Sequence, residues 1–338
     1  MKINENLERI LKIHFDEKNG SEYWLKIKKN LNFDPLKDIN DVKDLDLFGF
    51  MDPNILRKYP VEIFIPKMLL KNKSELIIGS SGGRTGKPKW VAYGKETYEY
   101  NLKMLNELMD RKKIPKGLNF LYVGPTGPHL FGKRVFDLCR LRNGLFYSID
   151  FDPRWVRKLK TTERKKYIDH LVEQTIDIIE SQEIGILFTT PSMLTRFAQE
   201  ERITNSELKA IGFSGTPMKP DEYKFFVEEA FPDVTFVGYF GNALFGVSIE
   251  VAVVDYQIVY QPPEPYAVFE VRDPENPESV VEYGSRGQLL GRRLSPEFFI
   301  PAFLESDIAT RFKPANGFES DSIMNPENML KGVDYGVY

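Results

Sequence analysis

The segment Ser80-Ser81-Gly82-Gly83-Arg84-Thr85-Gly86-Lys87-Pro88-Lys89 places three glycines, three hydroxyls and three cations within ten residues. Residues of these types suit a phosphate. Glycines reach backbone angles that turn successive N–H groups inward as a nest, hydroxyls add donors, and cations offset polyphosphate charge. The Walker pattern of nucleotide-binding loops is excluded: Ser81 stands where its first glycine belongs, and Pro88 follows Lys87. Leu76-Ile77-Ile78 precedes the segment and Trp90-Val91-Ala92-Tyr93 follows it, which predicts strand, loop, strand. On residue types alone a phosphate loop and a plain surface hairpin both fit. Cys139 is the single cysteine and His14, His129 and His170 are scattered, so a disulfide scaffold and a Cys/His zinc cluster are excluded. Cys139, between Leu138 and Arg140, reads as a packed helical residue rather than a nucleophile.

Positioning such a loop is the task of the elements around it. The chain has 338 residues, 42% hydrophobic and 28% charged, with net charge −3, enough apolar surface for one large or two ordinary domains. That balance gives no general attraction for nucleic acid or anionic membranes. Residues 1–70 alternate amphipathic helical patterns with breaks at Pro35, Pro53, Pro60 and Pro66, predicting a helical N-terminal region. From 71 to 250, short apolar runs (76–78, 118–123, 184–189) alternate with helix-period segments (96–112, 167–181), predicting an α/β core with a largely parallel, helix-covered sheet. Residues 251–338 turn to β-branched alternation around Gln261-Pro262-Pro263-Glu264-Pro265 and read as a small β-rich subdomain with a short tail. The uncharged run 234–249 has 16 residues and is broken by glycines, so it reads as buried strand and loop, not a membrane span. The amphipathic start carries no signal-peptide core, which places the protein in the cytoplasm as an expectation.

Six segments in order resemble the acyl-adenylate-forming superfamily of acyl-CoA synthetases, adenylation domains and luciferases. Ser81 to Lys89 looks like its phosphate-binding signature, and Gly127-Pro128-His129-Leu130-Phe131-Gly132 resembles the His segment beside its carboxylate pocket. Thr190-Pro191-Ser192-Met193-Leu194 resembles a helix start after a buried strand. Ile211-Gly212-Phe213-Ser214-Gly215-Thr216-Pro217-Met218 is similar to the turn lying against adenine. Gly238-Tyr239-Phe240-Gly241-Asn242-Ala243-Leu244-Phe245-Gly246 resembles the family's Tyr-Gly-x-Thr-Glu-x-Gly, and Pro301 to Asp307 resembles the region whose aspartate binds ribose. Within the superfamily the chain looks most like the phenylacetate-CoA-ligase-like branch and the short adenylating proteins of phenazine-antibiotic biosynthesis.

The resemblance implies an α/β adenylate-forming domain with a small β-rich subdomain, ATP and Mg2+ as cofactors, and an aromatic or apolar carboxylic acid as substrate. Lys87, Arg84 and His129 take catalytic roles by it. Ser81, Gly82, Gly83, Thr85, Gly86, Ser214, Gly215, Thr216, Tyr239, Phe240, Gly241, Asn242, Ala243 and Asp307 hold the nucleotide, with the ring of Tyr239 or Phe240 facing adenine. No metal ligand is assigned. Read singly, His129 is equally a loop histidine, Asp307 a solvated turn residue and Ser214-Gly215-Thr216 a plain connection.

Three departures shape the expectation. Ala243-Leu244 replaces the family's Thr-Glu, removing the carboxylate that usually helps bind metal; Ala302, Phe303 and Leu304 replace an arginine and tyrosine; and 31 residues follow Asp307, with only Lys331 to stand in for the lysine of a mobile C-terminal domain. The expectation is therefore an adenylation half-reaction, with the acyl group handed to a partner enzyme or carrier. The alternatives are an acyltransferase or acyl-protein synthetase subunit, a catalytically impaired ligand-binding homologue, and an unrelated α/β protein.

Overall fold

A computed structural model of the chain describes residues 1–83 and 86–329. In chain order its strands are β1 (Ile77–Ser80), β2 (Trp90–Tyr93), β3 (Asn119–Val123), β4 (Phe146–Ile149), β5 (Ile184–Thr189), β6 (Ala210–Phe213), β7 (Thr235–Asn242), β8 (Gly246–Val254), β9 (Gln257–Gln261), β10 (Ala267–Arg272), β11 (Arg286–Ser295), β12 (Phe298–Phe312) and β13 (Ser322–Asn328). Mixed α/β architecture is as the sequence predicts. The compact units, however, do not follow the sequential division at 70 and 250: one gathers 1–101, 242–248 and 261–329, the other 102–241 and 249–260.

In the first unit, helix Ile3–His14 buries Ile3, Leu7, Ile10 and Leu11, the i, i+4, i+7, i+8 stripe of an amphipathic helix, against Trp24, Val268, Leu294 and Phe299. Strands β10, β11, β12 and β13 form an antiparallel array in that order. Along β12 the buried residues alternate as Phe303, Glu305, Asp307 and Ala309, so both carboxylates share one face of the strand. The segment 242–248 joins this unit through Asn101, whose amide bonds both backbone groups of Val247 at 2.8 and 3.0 Å. Strands β1 and β2 form the predicted hairpin, in register from Ile77 opposite Tyr93 to Ser80 opposite Trp90.

In the second unit, β4, β3, β5, β6 and β7 run parallel in that order, followed by β8 and β9. Every residue of β5 and β6 is buried, as expected for parallel strands covered on both faces. The covering helices include Leu130–Leu141 after β3 and Thr161–Ser181 after β4; the latter begins six residues earlier than its periodicity suggests. β4 lies on one side of β3 and β5 on the other, so the winding reverses between β3 and β5, the place where open α/β sheets offer a crevice. Cys139 is buried in Leu130–Leu141, and burial pushes its thiol up to about 11, as expected of a packing residue. Among the described residues no helix is long and apolar enough to cross a membrane.

Candidate functional site

The glycine-rich bend sits at the end of the β1–β2 hairpin in the first unit. Its base is closed by Ser81 N–H donating to Lys89 O at 3.0 Å and Lys89 N–H donating to Ser81 Oγ at 2.9 Å. Gly83 runs at φ +67 and Gly86 at φ +135, angles that exclude most side chains and allow backbone amides to turn inward. Lys87 is exposed, and its carbonyl accepts from Arg57 Nε at 2.8 Å, which brings a cation from helix Ile55–Lys58 to the bend. Sequence reasoning missed Arg57, because its partner lies 30 residues away. Arg84 and Thr85 lie outside the described residues, as does Lys331.

Lys89 brings its ammonium to β12. Nζ lies 3.4 Å from Glu305 Oε2 and 4.7 Å from the centre of the Phe303 ring. Glu305 Oε1 in turn accepts from Asn242 Nδ2 at 3.0 Å, and Asn242 Oδ1 accepts from the N–H of Leu244 at 2.8 Å. Glu305 thereby joins the bend, the Asn242-Ala243-Leu244 turn and β12. Asp307, two residues further on the same face, is buried, and its Oδ1 accepts from Asn328 Nδ2 at 2.9 Å. Ala243 contributes its carbonyl to Tyr93 Oη at 2.9 Å. Leu244 is buried and its side chain carries no metal-binding atom. Among the described residues no group of three or more His, Cys, Asp or Glu could hold a metal, and Glu305 is already neutralised by Lys89. The described residues do not fit a protein-held Mg2+.

The second unit carries a pocket at the carboxyl ends of its parallel strands. Val123 and Gly124 end β3, Thr189 and Thr190 end β5, Ser214 and Gly215 follow β6, and Gly241 lies at the end of β7; Tyr122, Pro125, His129 and Phe131 complete the lining. This is the crevice that the strand order predicts for a ligand. The pocket is partly open and leaves room for at least one water in its present form. Its wall is stiff: Tyr122 Oη donates to Pro125 O at 3.0 Å, and a Cβ on Gly132 would stand 2.9 Å from that same oxygen. Gly132 is thus required by close approach.

His129 forms the N-cap position of Leu130–Leu141 but makes no side-chain cap. Burial, reinforced by the charge of Arg154 and opposed by Asp152 and Asp150, lowers its pKa to about 4, so it is neutral near pH 7 and offers a hydrogen bond rather than a charge. His129 Nδ1 and Thr216 Oγ1 are buried without a hydrogen-bond partner among the described residues, which is unusual for interior polar atoms and marks this region for a ligand or water. Ser214 Oγ accepts from Gly241 N–H at 3.3 Å. Tyr239 and Phe240 are both buried: Tyr239 stacks on Phe188 at 5.9 Å and 26°, and Phe240 meets Tyr260 at 6.1 Å. Both rings pack within the second unit.

Comparison with solved structures gives a likeness to 2-hydroxyisobutyryl-CoA ligase in complex with 2-HIB-AMP and CoA in the thioesterification state, with TM-score 0.68 and 14% identity over 96% of this chain and 67% of that one. An open conformation of that ligase with 2-HIB-AMP and CoA aligns at TM-score 0.66 and 15% identity, over 96% and 72%. The chain has the fold of this ligase. It spans about two thirds of the ligase's length in these alignments. No protein-family model and no curated protein matches the sequence.

Proposed function

We propose that the protein activates a carboxylic acid with ATP as an acyl-adenylate. The observation that carries this reading is the crevice at the ends of β3, β5, β6 and β7, with neutral His129 in its lining, in a chain that shares its fold with a ligase solved with an acyl-AMP. The glycine-rich bend supports it, with Gly83 and Gly86 at positive φ and with Lys87 and Arg57 beside it. On this reading a carboxylate oxygen attacks the α-phosphorus. A new P–O bond forms as the bond to the bridging oxygen breaks, and pyrophosphate leaves with that electron pair. Two anions meet in this step, so the chain's contribution is positive charge and fixed amide donors around the phosphates, and orientation of the acid. Ser81, Gly82, Gly83, Gly86 and Lys87 take the phosphates, Asp307 the ribose, and Ser214, Gly215 and Thr216 the base. His129 Nδ1 orients the carboxylate by a hydrogen bond.

The lining of Tyr122, Val123, Pro125 and Phe131 suits an aromatic or otherwise apolar acid. ATP–pyrophosphate exchange across paired apolar and hydrophilic acids tests both statements: exchange dependent on an apolar acid is expected, and no acid-dependent exchange sinks the adenylation reading. A second reading, a binding protein that has lost turnover, is favoured by Leu244 at the position of the family's carboxylate. Calorimetry that finds nucleotide or acid bound without exchange selects it. Transfer of the acyl group to a partner enzyme or carrier, in the cytoplasm, completes the proposal.

A further inference from the structure

Lys89 is one of the three cations that make the bend attractive for a polyphosphate, yet its ammonium faces a carboxylate to which the sequence reading gave no role. Lys89 and Glu305 side chains are 11% and 6% exposed, their charged atoms 3.4 Å apart. Water screens such a pair little, so within the bend's surroundings the two charges largely cancel. The second oxygen of Glu305 is held by Asn242 at 3.0 Å, which fixes the carboxylate in this arrangement. Lys89 meanwhile remains joined to the base of the bend through its backbone contacts with Ser81.

We infer that Glu305 sets the phosphate count the bend favours, by neutralising Lys89 and so lowering the preference for a triphosphate over a monophosphate. This rests on the nucleotide reading above and deepens it, since a bend tuned in this way retains an adenylate after pyrophosphate has left. Glu305 acts through Lys89 and is a positioning residue. Glu305→Gln keeps the shape and an acceptor for Asn242 while removing the charge, leaving Lys89 to seek a new anion. Lys89→Met with Glu305→Gln removes both charges together and restores the neutral balance.

The test is calorimetric titration of ATP and AMP in metal-free buffer, read as the ratio of their affinities. E305Q is expected to raise the ATP-to-AMP affinity ratio by roughly tenfold, the double variant to keep the wild-type ratio. An unchanged ratio in E305Q, or an equal shift in the double variant, overturns the inference while leaving nucleotide binding intact. If wild type binds neither nucleotide, the nucleotide reading falls and this inference with it. Should E305Q fail to fold by circular dichroism, Glu305→Asp withdraws the carboxylate from Nζ by one methylene. It is expected to move the ratio in the same direction by a smaller factor, and no movement overturns the inference.

Discussion

At Gly83 the backbone runs at φ +67, and an added Cβ would stand 3.1 Å from Gly86 O and 3.3 Å from Pro88 Cγ. Gly49 shares that φ at ψ 178, a region essentially reserved to glycine, with no atom within 4 Å of an added Cβ. Gly49→Ala is expected to cost about 1–3 kcal/mol from backbone strain alone, and Gly83→Ala to weaken ATP binding as well as stability, measured by chemical denaturation and calorimetry. Unchanged ATP binding in Gly83→Ala would refute the crowding argument. The bend was legible in the sequence because its chemistry is contiguous: glycines, hydroxyls and cations within ten residues. Glu305 was visible only as part of a pattern, with no role, because its partners Lys89 and Asn242 lie 216 and 63 residues away. Nothing in local spacing links them. The surroundings of Tyr239 and Phe240 were not legible for a related reason. An aromatic residue reads the same whether its ring faces a ligand or, as here, Phe188 and Tyr260.

Among the elements, the β1–β2 hairpin depends on a buried ion pair at its base. Arg293 of β11 donates to Ala92 O at 2.7 Å and Leu244 O at 2.9 Å, stacks on the Tyr93 ring at 3.9 Å, and pairs with Glu297 at 2.7 Å. Thr97, near the start of helix Lys95–Arg111, donates to the same Glu297 oxygen at 2.6 Å. Removing one member of such a pair strands a buried charge. Glu297→Ala is expected to cost about 3–5 kcal/mol in urea denaturation, more than Thr97→Ala, which removes one neutral donor at about 1–2 kcal/mol. Equal costs would mean that the pair adds nothing beyond a hydrogen bond. The parallel strands were readable because full burial on both faces leaves short, unbroken apolar runs such as 184–189 between helix-period segments. The start of helix Thr161–Ser181 was not, since its first turns are Lys, Arg and Thr on a solvated face and periodicity fades there.

For the molecule as a whole, the compact units cut across sequence order. Hydrophobic periodicity reports the neighbours of a residue along the chain, whereas Asn101 clasping Val247 is a pairing 146 residues apart. Global stability also carries a pH dependence set in the first unit. His14 is fully buried beneath Phe299, with Nε2–H donating to Ser295 O at 3.0 Å and Nδ1 unpartnered among the described residues. Burial, aided by the charge of Arg293, lowers its pKa from 6.5 to about 4. Between those values the unfolded chain binds the proton and the folded one does not, so the stabilisation is complete above pH 6.5 and is lost as pH falls toward 4. The loss amounts to about 3 kcal/mol. Denaturation midpoints from pH 7.5 to 4.5 should fall accordingly, and His14→Gln should flatten the slope; an unchanged slope would show that His14 does not drive it.

The three tryptophans occupy distinct surroundings. Trp24 is sealed in the first unit's core, Trp90 stands 41% exposed beside Lys89 on the hairpin, and Trp155 is 55% exposed in the second unit. Nature has in effect distributed three indole lamps through the chain, one next to the lysine that Glu305 restrains. Emission from single-tryptophan versions can follow the hairpin and each unit separately, with no dye attached.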